Sequence, residues 1–218
     1  VAFLLTRTDS RPLSHPVHLS FTLAGNNVPP NSLGDWTILP LDERTREPIE
    51  ADAIRIPRSA VVDRRLAPGE YLIIVSVADF GFHEVYRYVP DDPNVAGKPS
   101  YPHERWEVAS DGTLQLPPIS IRAESDVVQG MIEVAGGTFD MGDGEATRPQ
   151  HQREVAPFFV DPHEVTAEDF ERFVTLGHDY NLPGDSPAVL VHWNAAVAYA
   201  EFLGKRLLKE HEFEYLAR

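Results

Sequence analysis

The chain has 218 residues, of which 42% are hydrophobic and 10% aromatic. That is enough apolar material for one large or two ordinary domains, and it argues against wholesale disorder. The 19 Lys and Arg against 34 Asp and Glu leave a net charge of −15, which argues against nucleic acids and anionic membrane surfaces as partners, because their phosphates would repel the chain. The chain contains no cysteine, which excludes disulfides, thiolate nucleophiles and cysteine-ligated metals.

The amino-terminal end begins with the apolar run Val1-Ala-Phe-Leu-Leu5. We interpret this run as a first strand, and the alternative is the end of a preceding transmembrane helix. No run in the sequence approaches the length of a membrane span. Because the first residue is Val rather than Met, we expect that the chain has been trimmed at this end.

Residues 1–125 predict a β-sandwich, because they combine many short strand-like runs with turn signals between them. The clearest element is Leu66–Val77, where a Pro-Gly turn leads into alternating apolar residues. Residues 84–89 return as the second strand of a hairpin. Further strands are predicted at residues 17–23, 36–41, 53–56, 113–116 and 116–121.

One short motif in this module is similar to a known type of repeat. Leu66-Ala-Pro-Gly-Glu-Tyr71 resembles prealbumin-like repeats of the PEGA and carboxypeptidase-regulatory type, which implies a module found beside surface and signalling domains. Ala123-Glu-Ser-Asp126 is polar and charged, and we interpret it as the linker to a second module.

Residues 126–218 have a different pattern, punctuated by glycine and rich in helical periodicity. The run Met131–Gly142 alternates around a double glycine, which predicts strands joined by a tight turn. Residues 158–160 predict a short buried strand. Thr166 is placed to cap a helix over residues 167–174, with Phe170, Phe173 and Val174 on one apolar face.

Two more helices are predicted near the carboxyl-terminal end. The first starts at Asn194 and ends near Gly204, with an inward stripe of Ala195, Ala198, Tyr199 and Phe202. The second covers residues 210–216, and we expect Phe213 and Leu216 to face inward. We expect Trp193 to pack in the core, because it lies between an apolar strand and a helix start.

Four blocks at residues 131–142, 158–166, 191–199 and 204–218 together resemble the amino half of the formylglycine-generating-enzyme-like (sulfatase-modifying factor) family. The resemblance implies an α+β protein, with an amino-terminal all-β sandwich at 1–125 and a partial C-type-lectin-like module at 126–218. Arg218 falls where the first half of the family's domain ends, so we expect a truncated domain. The sequence departs from the family at Leu208-Lys209 in place of Pro-Thr, at Phe213 in place of a tryptophan, and at His192 in place of Ser or Thr.

The resemblance implies no complete catalytic apparatus in these residues. In the oxidase members the copper-binding cysteines lie in the carboxyl half, and the histidine spacing of the iron-dependent members is not found. We therefore assign no catalytic, cofactor-binding or metal-binding residues and no cofactor. The chain has nine histidines without compact ligand spacing: His15, His18, His83, His103, His151, His163, His178, His192 and His211.

Two charged groups have structural interpretations. The acidic residues Asp140, Asp143 and Glu145 fail the EF-hand spacing and are interpreted as a solvated turn. Lys205 and Arg206 would reach a substrate in a binding interpretation. In the structural interpretation, which we favour, they pair with one of the glutamates at positions 210, 212 and 214.

Three functional hypotheses follow from the resemblance. The first is a non-catalytic ligand-binding, sensory or interaction segment of a larger bacterial signalling protein, carboxyl-terminal to a serine/threonine protein kinase domain. The second is the amino half of a formylglycine-generating-type oxidase, and the third is a structural surface protein. The first would be compatible with an extracytoplasmic portion of a membrane-anchored protein, but neither the localisation nor the ligand follows from the sequence. We expect exposed apolar surface around Phe202, Phe213, Tyr215 and Leu216, where either the chain associates with itself or a partner, or its last residues fray.

Overall fold

The computed structural model describes residues 14–94, 105–145, 148–175 and 191–218. The chain divides into two compact units between Ile121 and Arg122. Both units contain β-sheet and the second also contains helices, which makes the protein a β-rich α+β chain. The apolar run at residues 1–5 and two of the nine histidines, His103 and His178, lie outside the described residues.

The amino-terminal unit is built from nine strands within the described residues. A short 3-10 turn, Glu50–Asp52, lies between the second and the third strand. The strands are β1 His15–Ala24, β2 Gly34–Pro40, β3 Ile54–Ser59, β4 Val61–Leu66, β5 Gly69–Val77, β6 Gly81–Val89, β7 Glu107–Val108, β8 Leu114–Gln115 and β9 Ile119–Arg122.

These strands form two sheets. A four-stranded antiparallel sheet has the order β3-β2-β5-β6, and a five-stranded sheet has the order β4-β1-β8-β7 with β9 also paired to β1. The second sheet is mixed, because β1 pairs antiparallel with β4 and parallel with β8. Consecutive strands β3 and β4 belong to different sheets, so the chain changes sheet at Ala60.

The predicted hairpin is present as β5 and β6, with Val77 opposite Gly81 at the turn. The alternate residues of β5 predicted to share a face are all buried: Tyr71, Ile73, Val75 and Val77. The Tyr71 hydroxyl donates to the carbonyl of Ala67 at 2.8 Å, which ties the Pro-Gly turn to the strand. Desolvation by burial raises the pKa of Tyr71.

Sequence patterns missed two strands of this unit, β4 and β7, and one strand of the second unit, His151–Val155. In β4, Val-Val-Asp-Arg-Arg-Leu, only Val62 and Leu66 are buried, and Arg64 between them is exposed. Because β4 ends the order of its sheet, a charge on the inward parity is tolerated there and discourages pairing with another edge. Because of this charge, the segment does not show the regular alternation of apolar and polar residues by which a strand is recognised in a sequence.

Side chains of the two sheets meet inside the unit. Phe21 of β1 lies 5.7 Å from Trp36 of β2 between ring centroids. From β6, His83 Nδ1 lies 2.7 Å from the carbonyl of Ser120, and buried Arg87 donates to its own neighbour Tyr86 and to the carbonyl of Pro117. The sequence predicted Arg87 on the same face as Val85 and Val89, and it is fully buried there.

The carboxyl-terminal unit combines two two-stranded antiparallel sheets with helices. Its elements are α1 Glu124–Val127, β10 Ile132–Val134, β11 Gly137–Met141, β12 His151–Val155, β13 Phe158–Val160, α2 Ala167–Thr175, α3 Trp193–Phe202 and α4 Glu210–Leu216. Strand β10 pairs with β13, and β11 pairs with β12, both antiparallel. The predicted linker is a helical turn, since α1 begins at Glu124.

Two glycines of the Met131–Gly142 block are required by close backbone approach. Gly136 has φ of 71°, and a Cβ there would meet the backbone carbonyl of Val155. Gly142 has φ of 95°, and a Cβ there would lie 2.7 Å from the carbonyl oxygen of Pro149. Glycine is therefore required at these two positions both because φ is positive and because a Cβ would clash with the neighbouring backbone.

The helix predictions agree with the structure in extent. Thr166 Oγ1 accepts the Asp169 N–H at 3.1 Å, so it caps α2 as predicted. Gly204 follows α3 with φ of 76°. Phe170 and Phe173 of α2 pack against Tyr199 of α3, with ring centroids 5.4 and 5.5 Å apart. This aromatic cluster is the core that α2 and α3 share.

Candidate functional site on the last helix

The inner face of α4 is polar. Glu212 is buried, and its carboxylate accepts two hydrogen bonds of 2.6 Å from Nη1 and Nη2 of Arg206. It also accepts the backbone N–H of Lys209, the N-cap residue of the helix, at 2.8 Å, which is one half of a capping box. The segment before α4 and the helix itself are thus held together by one bidentate ion pair.

Glu214 joins α4 to the loop after β11. Its Oε1 accepts the backbone N–H of Gly142 at 2.8 Å and Nη2 of Arg218 at 2.6 Å. Arg218 Nη2 also donates to the carbonyl of Gly142 at 2.8 Å. Nη2 of Arg148 lies 3.8 Å from Oε2 of Glu214. Both backbone groups of Gly142 are therefore bonded to the helix.

Tyr215 completes the inner face. Its hydroxyl donates to the carbonyl of Gly136 at 2.7 Å, and its ring packs edge-on against Phe139 at 5.4 Å between centroids. The guanidinium of Arg218 lies 5.7 Å from the centre of the Phe139 ring on the same hairpin. These contacts place α4 on β11.

The outer face of α4, defined here as Phe213, Leu216 and Ala217, is apolar and turned to solvent. Phe213 is 66% exposed and Leu216 is 41% exposed. The prediction that Phe213 and Leu216 face inward is wrong. The pattern of apolar residues gave the helix but not its orientation, because hydrogen-bonded carboxylates rather than apolar contacts decide which side faces the protein.

The carboxylates on the inner face are ionised groups with specific partners. Burial raises the pKa of Glu212, but the hydrogen bonds from Arg206 and Lys209 outweigh burial and bring the pKa below its usual value. The hydrogen bonds from Arg218 and Gly142 hold the pKa of Glu214 below its usual value. Desolvation by burial, with Arg153 nearby, lowers the pKa of His211 on the same helix.

The pairing predicted for Lys205 and Arg206 is half correct. Arg206 pairs with Glu212 as expected, whereas Lys205 Nζ lies 2.6 Å from Asp161 Oδ1. The correct partner of Lys205 is 44 residues away in the chain, so spacing on the local helix did not indicate it.

Two aromatic side chains of α3 are more exposed than the sequence indicated. Trp193 is 53% exposed, so the prediction that it packs in the core is wrong. Phe202 is 42% exposed although it was placed on the inward stripe with Ala195, Ala198 and Tyr199. In α3 the buried stripe is mostly alanine, and the large rings at both ends lie at its border.

The predicted exposure of apolar surface around Phe202, Phe213, Tyr215 and Leu216 is confirmed for three of the four residues. Tyr215 is the exception, because it packs on Phe139. Leu207 is 37% exposed just before α4, and in the two-stranded sheet of β10 and β13 Ile132 is 52% and Phe159 41% exposed.

The described histidines do not assemble into a cluster with carboxylates. His18 pairs with Asp63 at 2.7 Å across adjacent strands, and His15 and His151 contact backbone carbonyls. No group of three or more His, Cys, Asp or Glu placed to hold a metal ion occurs among the residues the structure describes. In the acidic turn, Asp143 accepts the Glu145 N–H at 3.0 Å and lies 3.6 Å from Arg148.

Residues 119–218 match the family model of the sulfatase-modifying factor enzyme 1-like domain. The formylglycine-generating enzyme of Thermomonospora curvata is 27% identical over 157 residues, covering 44% of this chain and 51% of that enzyme. The resemblance read from the four sequence blocks is thereby confirmed for the carboxyl-terminal unit. It does not extend to the amino-terminal unit, whose PEGA-like motif stays a prediction.

A second group of similar proteins are kinases. Serine/threonine-protein kinase Pkn1 of Chlamydia trachomatis is 34% identical over 116 residues, covering 40% of this chain and 19% of the kinase. The chain thus spans about half the length of the formylglycine-generating relative and about a fifth of the kinase.

Among solved structures, the C-terminal fragment of the pilus adhesin SpaC from Lactobacillus rhamnosus GG covers 67% of this chain and 72% of that fragment. The sequences are 13% identical and the TM-score is 0.30. A score this low does not assign a fold. Within the described residues, no helix is long and apolar enough to cross a membrane.

Proposed function

We propose that this chain is a non-catalytic ligand-binding or interaction segment of a larger bacterial signalling protein, carboxyl-terminal to a serine/threonine kinase domain. The observation that carries the interaction role is the reversed orientation of α4, which turns Phe213 and Leu216 to solvent. Exposed apolar patches on folded proteins are characteristic of interaction sites. The 34% identity with Pkn1 supports the kinase setting.

The proposal includes a finer architecture. The amino-terminal unit would be a β-sandwich, supported by the contacts of Phe21 with Trp36 and of His83 with Ser120 between its two sheets. The carboxyl-terminal unit would be a partial C-type-lectin-like module, supported by the family match over residues 119–218. The two modules would fold separately and be joined near Ser125.

Limited proteolysis tests this architecture. Cleavage is expected first at residues 122–129 or in the loop at residues 142–152, because a connection and a long loop open more readily than paired strands. Strand β5, paired on both sides and buried, should be protected. Rapid cleavage inside residues 71–77 would contradict the sandwich.

The alternative is that the chain is the amino half of a formylglycine-generating-type oxidase. The observation that favours it is the 27% identity with the Thermomonospora curvata enzyme, over an alignment that covers 51% of that enzyme. The absence of cysteine from this sequence fits either proposal, because the resemblance places the copper-binding cysteines of the oxidases in the carboxyl half.

An activity assay tests the non-catalytic proposal. The chain is incubated with a cysteine-containing sulfatase-type peptide, with and without added copper, beside an intact formylglycine-generating enzyme as the positive control. We expect no turnover by this chain above a no-protein control. Measured turnover would refute the non-catalytic proposal.

The encoding reading frame gives a second test. A kinase Gly-rich loop and His-Arg-Asp upstream of Val1 would support the first proposal, and paired cysteines beyond Arg218 would support the oxidase.

A further inference from the structure

Helix α4 is attached to the second unit by bonds that depend on charge. The carboxylates of Glu212 and Glu214 accept hydrogen bonds from four residues: Arg206, Lys209, Gly142 and Arg218. A carboxylate that gains a proton loses its charge and part of its capacity to accept hydrogen bonds. Phe213 and Leu216 meet solvent, so these apolar side chains do not hold the helix when the carboxylates are protonated.

A third titratable group, His211, lies over the same strands. It is four residues before Tyr215, so the two side chains share a face of the helix, and the Tyr215 ring packs on Phe139. Phe139 of β11 is paired with Arg153 of β12, and paired residues of antiparallel strands project from the same side of the sheet. His211 therefore lies close to Arg153, and a proton on its ring would bring two positive charges together.

The charged groups that face α4 come from every segment packed against it. They are His151 and Arg153 of β12, Asp143 and Arg148 of the loop before β12, Arg206 and Lys209 before the helix, and Glu210 and Arg218 on or next to the helix. The negative charge of Glu212 favours a proton on His211, whereas Arg153 opposes it. Glu214 lies between Arg148 and Arg218, which favours its ionised form.

We propose that the attachment of α4 is an acid-sensitive switch: protonation of His211, and then of Glu214 and Glu212, detaches the helix from β11 and β12 while the rest of the second unit stays folded. The helix has seven residues, and helices this short are not stable alone in water. A detached α4 therefore unfolds, and the ring of Phe139 on β11 becomes accessible to solvent.

The three titrations have the same sign. Burial, with Arg153 nearby, lowers the pKa of His211 below 6.5. The hydrogen bond from Arg218 lowers the pKa of Glu214 below 4.5, and the hydrogen bonds to Glu212 outweigh burial and lower its pKa likewise. A group with a lowered pKa binds more protons once the helix is detached, so the attachment weakens as the pH falls through the folded pKa. Release begins below pH 6.5 and is completed below pH 4.5.

Amide hydrogen exchange of the full chain tests this proposal, measured by NMR from about pH 7.5 to about pH 4 and corrected for the intrinsic rate at each pH. The amides of Phe213 and Ala217 report on α4, because they donate to the carbonyls of Lys209 and Phe213. Their protection should fall by about tenfold or more, since each unit by which a pKa is lowered changes the attachment equilibrium tenfold. The buried residues Val197–Ala200 of α3 are the internal control, and their protection should stay unchanged.

Three variants test the role of charge. Glu214→Gln keeps the size of the side chain and removes its charge, so it should lower the protection of α4 already at about pH 7.5. Glu210→Gln is the matched control, because it makes the same change at an exposed position of the same helix, and it should have no effect. His211→Gln should keep α4 protected at about pH 5.5, where the wild type has begun to lose protection.

Loss of protection confined to α4, and reproduced at neutral pH by Glu214→Gln but not by Glu210→Gln, would support the switch. Three results would overturn it: α4 that stays protected down to about pH 4, α3 that loses protection in parallel with α4, or a His211→Gln profile identical to that of the wild type. If Glu214→Gln does not fold, the wild-type pH series decides the question alone, because it compares α4 with α3 in the same molecule.

Discussion

The amino-terminal unit buries Trp36, Ile73 and Val75 completely between its strands, whereas the carboxyl-terminal unit exposes Phe213 and Leu216 of its last helix. Of the 21 buried hydrophobic residues described in the first unit, none is alanine; of the 11 in the second unit, five are alanine. Because stabilisation follows the apolar area removed from water, the second unit gains less from burial. It relies instead on hydrogen-bonded carboxylates to position α4.

Because of this difference, we expect the two units to lose stability through different kinds of substitution. A sheet core loses stability through cavities, since its neighbours relax only partly around a missing side chain. A helix attached by ion pairs loses stability when one charged partner is removed or protonated. The following changes test these two modes of attachment in order of expected effect.

The largest effect is expected for Trp36→Ala. Trp36 is 1% exposed and its Nε1 donates to the carbonyl of Ser59 at 2.9 Å, so its removal should cost about 3–5 kcal/mol of unfolding free energy. Denaturant unfolding followed by circular dichroism measures this cost. Trp193→Ala is the matched control, because Trp193 is 53% exposed, and its cost should stay below about 1 kcal/mol. Equal costs would show that the core of the first unit is misassigned.

The next effect is expected for Glu212→Ala. This change removes the bidentate pair with Arg206 and the bond to the Lys209 N–H, and should cost about 2–4 kcal/mol. Glu210→Ala, two residues earlier and exposed, should change stability by less than about 0.5 kcal/mol. Thermal unfolding of both variants gives the comparison. A Glu212→Ala variant as stable as Glu210→Ala would mean that α4 is held by other contacts.

Acid should act on the attachment of α4 through Glu214. Because the folded pKa of Glu214 lies below the ordinary value of 4.5, its contribution to stability is present above that value and is lost as the pH falls through the folded pKa. The amide proton of Gly142, which is bonded to this carboxylate, should report the titration in an NMR pH series with a midpoint below 4.5. Glu214→Gln should remove that titration. A midpoint at or above 4.5 would show that the hydrogen bonds do not favour the ionised form.

The smallest effect is expected for Phe213→Ser. At 66% exposure, this ring contributes little to folding of a single copy, and the unfolding free energy at low protein concentration should change by less than about 0.5 kcal/mol. Phe170→Ala in the same unit, where Phe170 is 2% exposed, should cost about 3–5 kcal/mol. A large cost for Phe213→Ser would indicate that the outer face of α4 is covered within the folded monomer.

Much of the local structure was readable from the sequence. The Pro-Gly turn with alternating apolar residues predicted β5, and Glu84–Val89 predicted most of β6, because period-two alternation survives when one face of a strand is buried. Thr166 predicted the start of α2, since its hydroxyl satisfies an N–H that the helix leaves open. The four sequence blocks indicated the sulfatase-modifying factor family, whose domain model matches residues 119–218.

The interaction surface was predicted only in part. The sequence placed exposed apolar residues near Phe202, Phe213 and Leu216, and it paired Arg206 with a glutamate of α4. The bond between Glu214 and Gly142 was not foreseen, because 72 residues separate them. The pairing of Lys205 with Asp161 was not predicted for the same reason, because these residues are also far apart in the chain.

The sequence by itself determined most of the strands and helices, because caps, glycines and apolar periods act over a few residues. Strands β4, β7 and β12 were not found from it. Only the tertiary structure decided which side of α4 meets the protein and whether Trp193 is buried. The orientation of α4 depends on partners far away in the chain: the hairpin that presents Gly136 and Gly142 to Tyr215 and Glu214. A helix with apolar residues on one face and carboxylates on the other can attach by either face, and the side that finds fixed hydrogen-bond partners becomes the inner one.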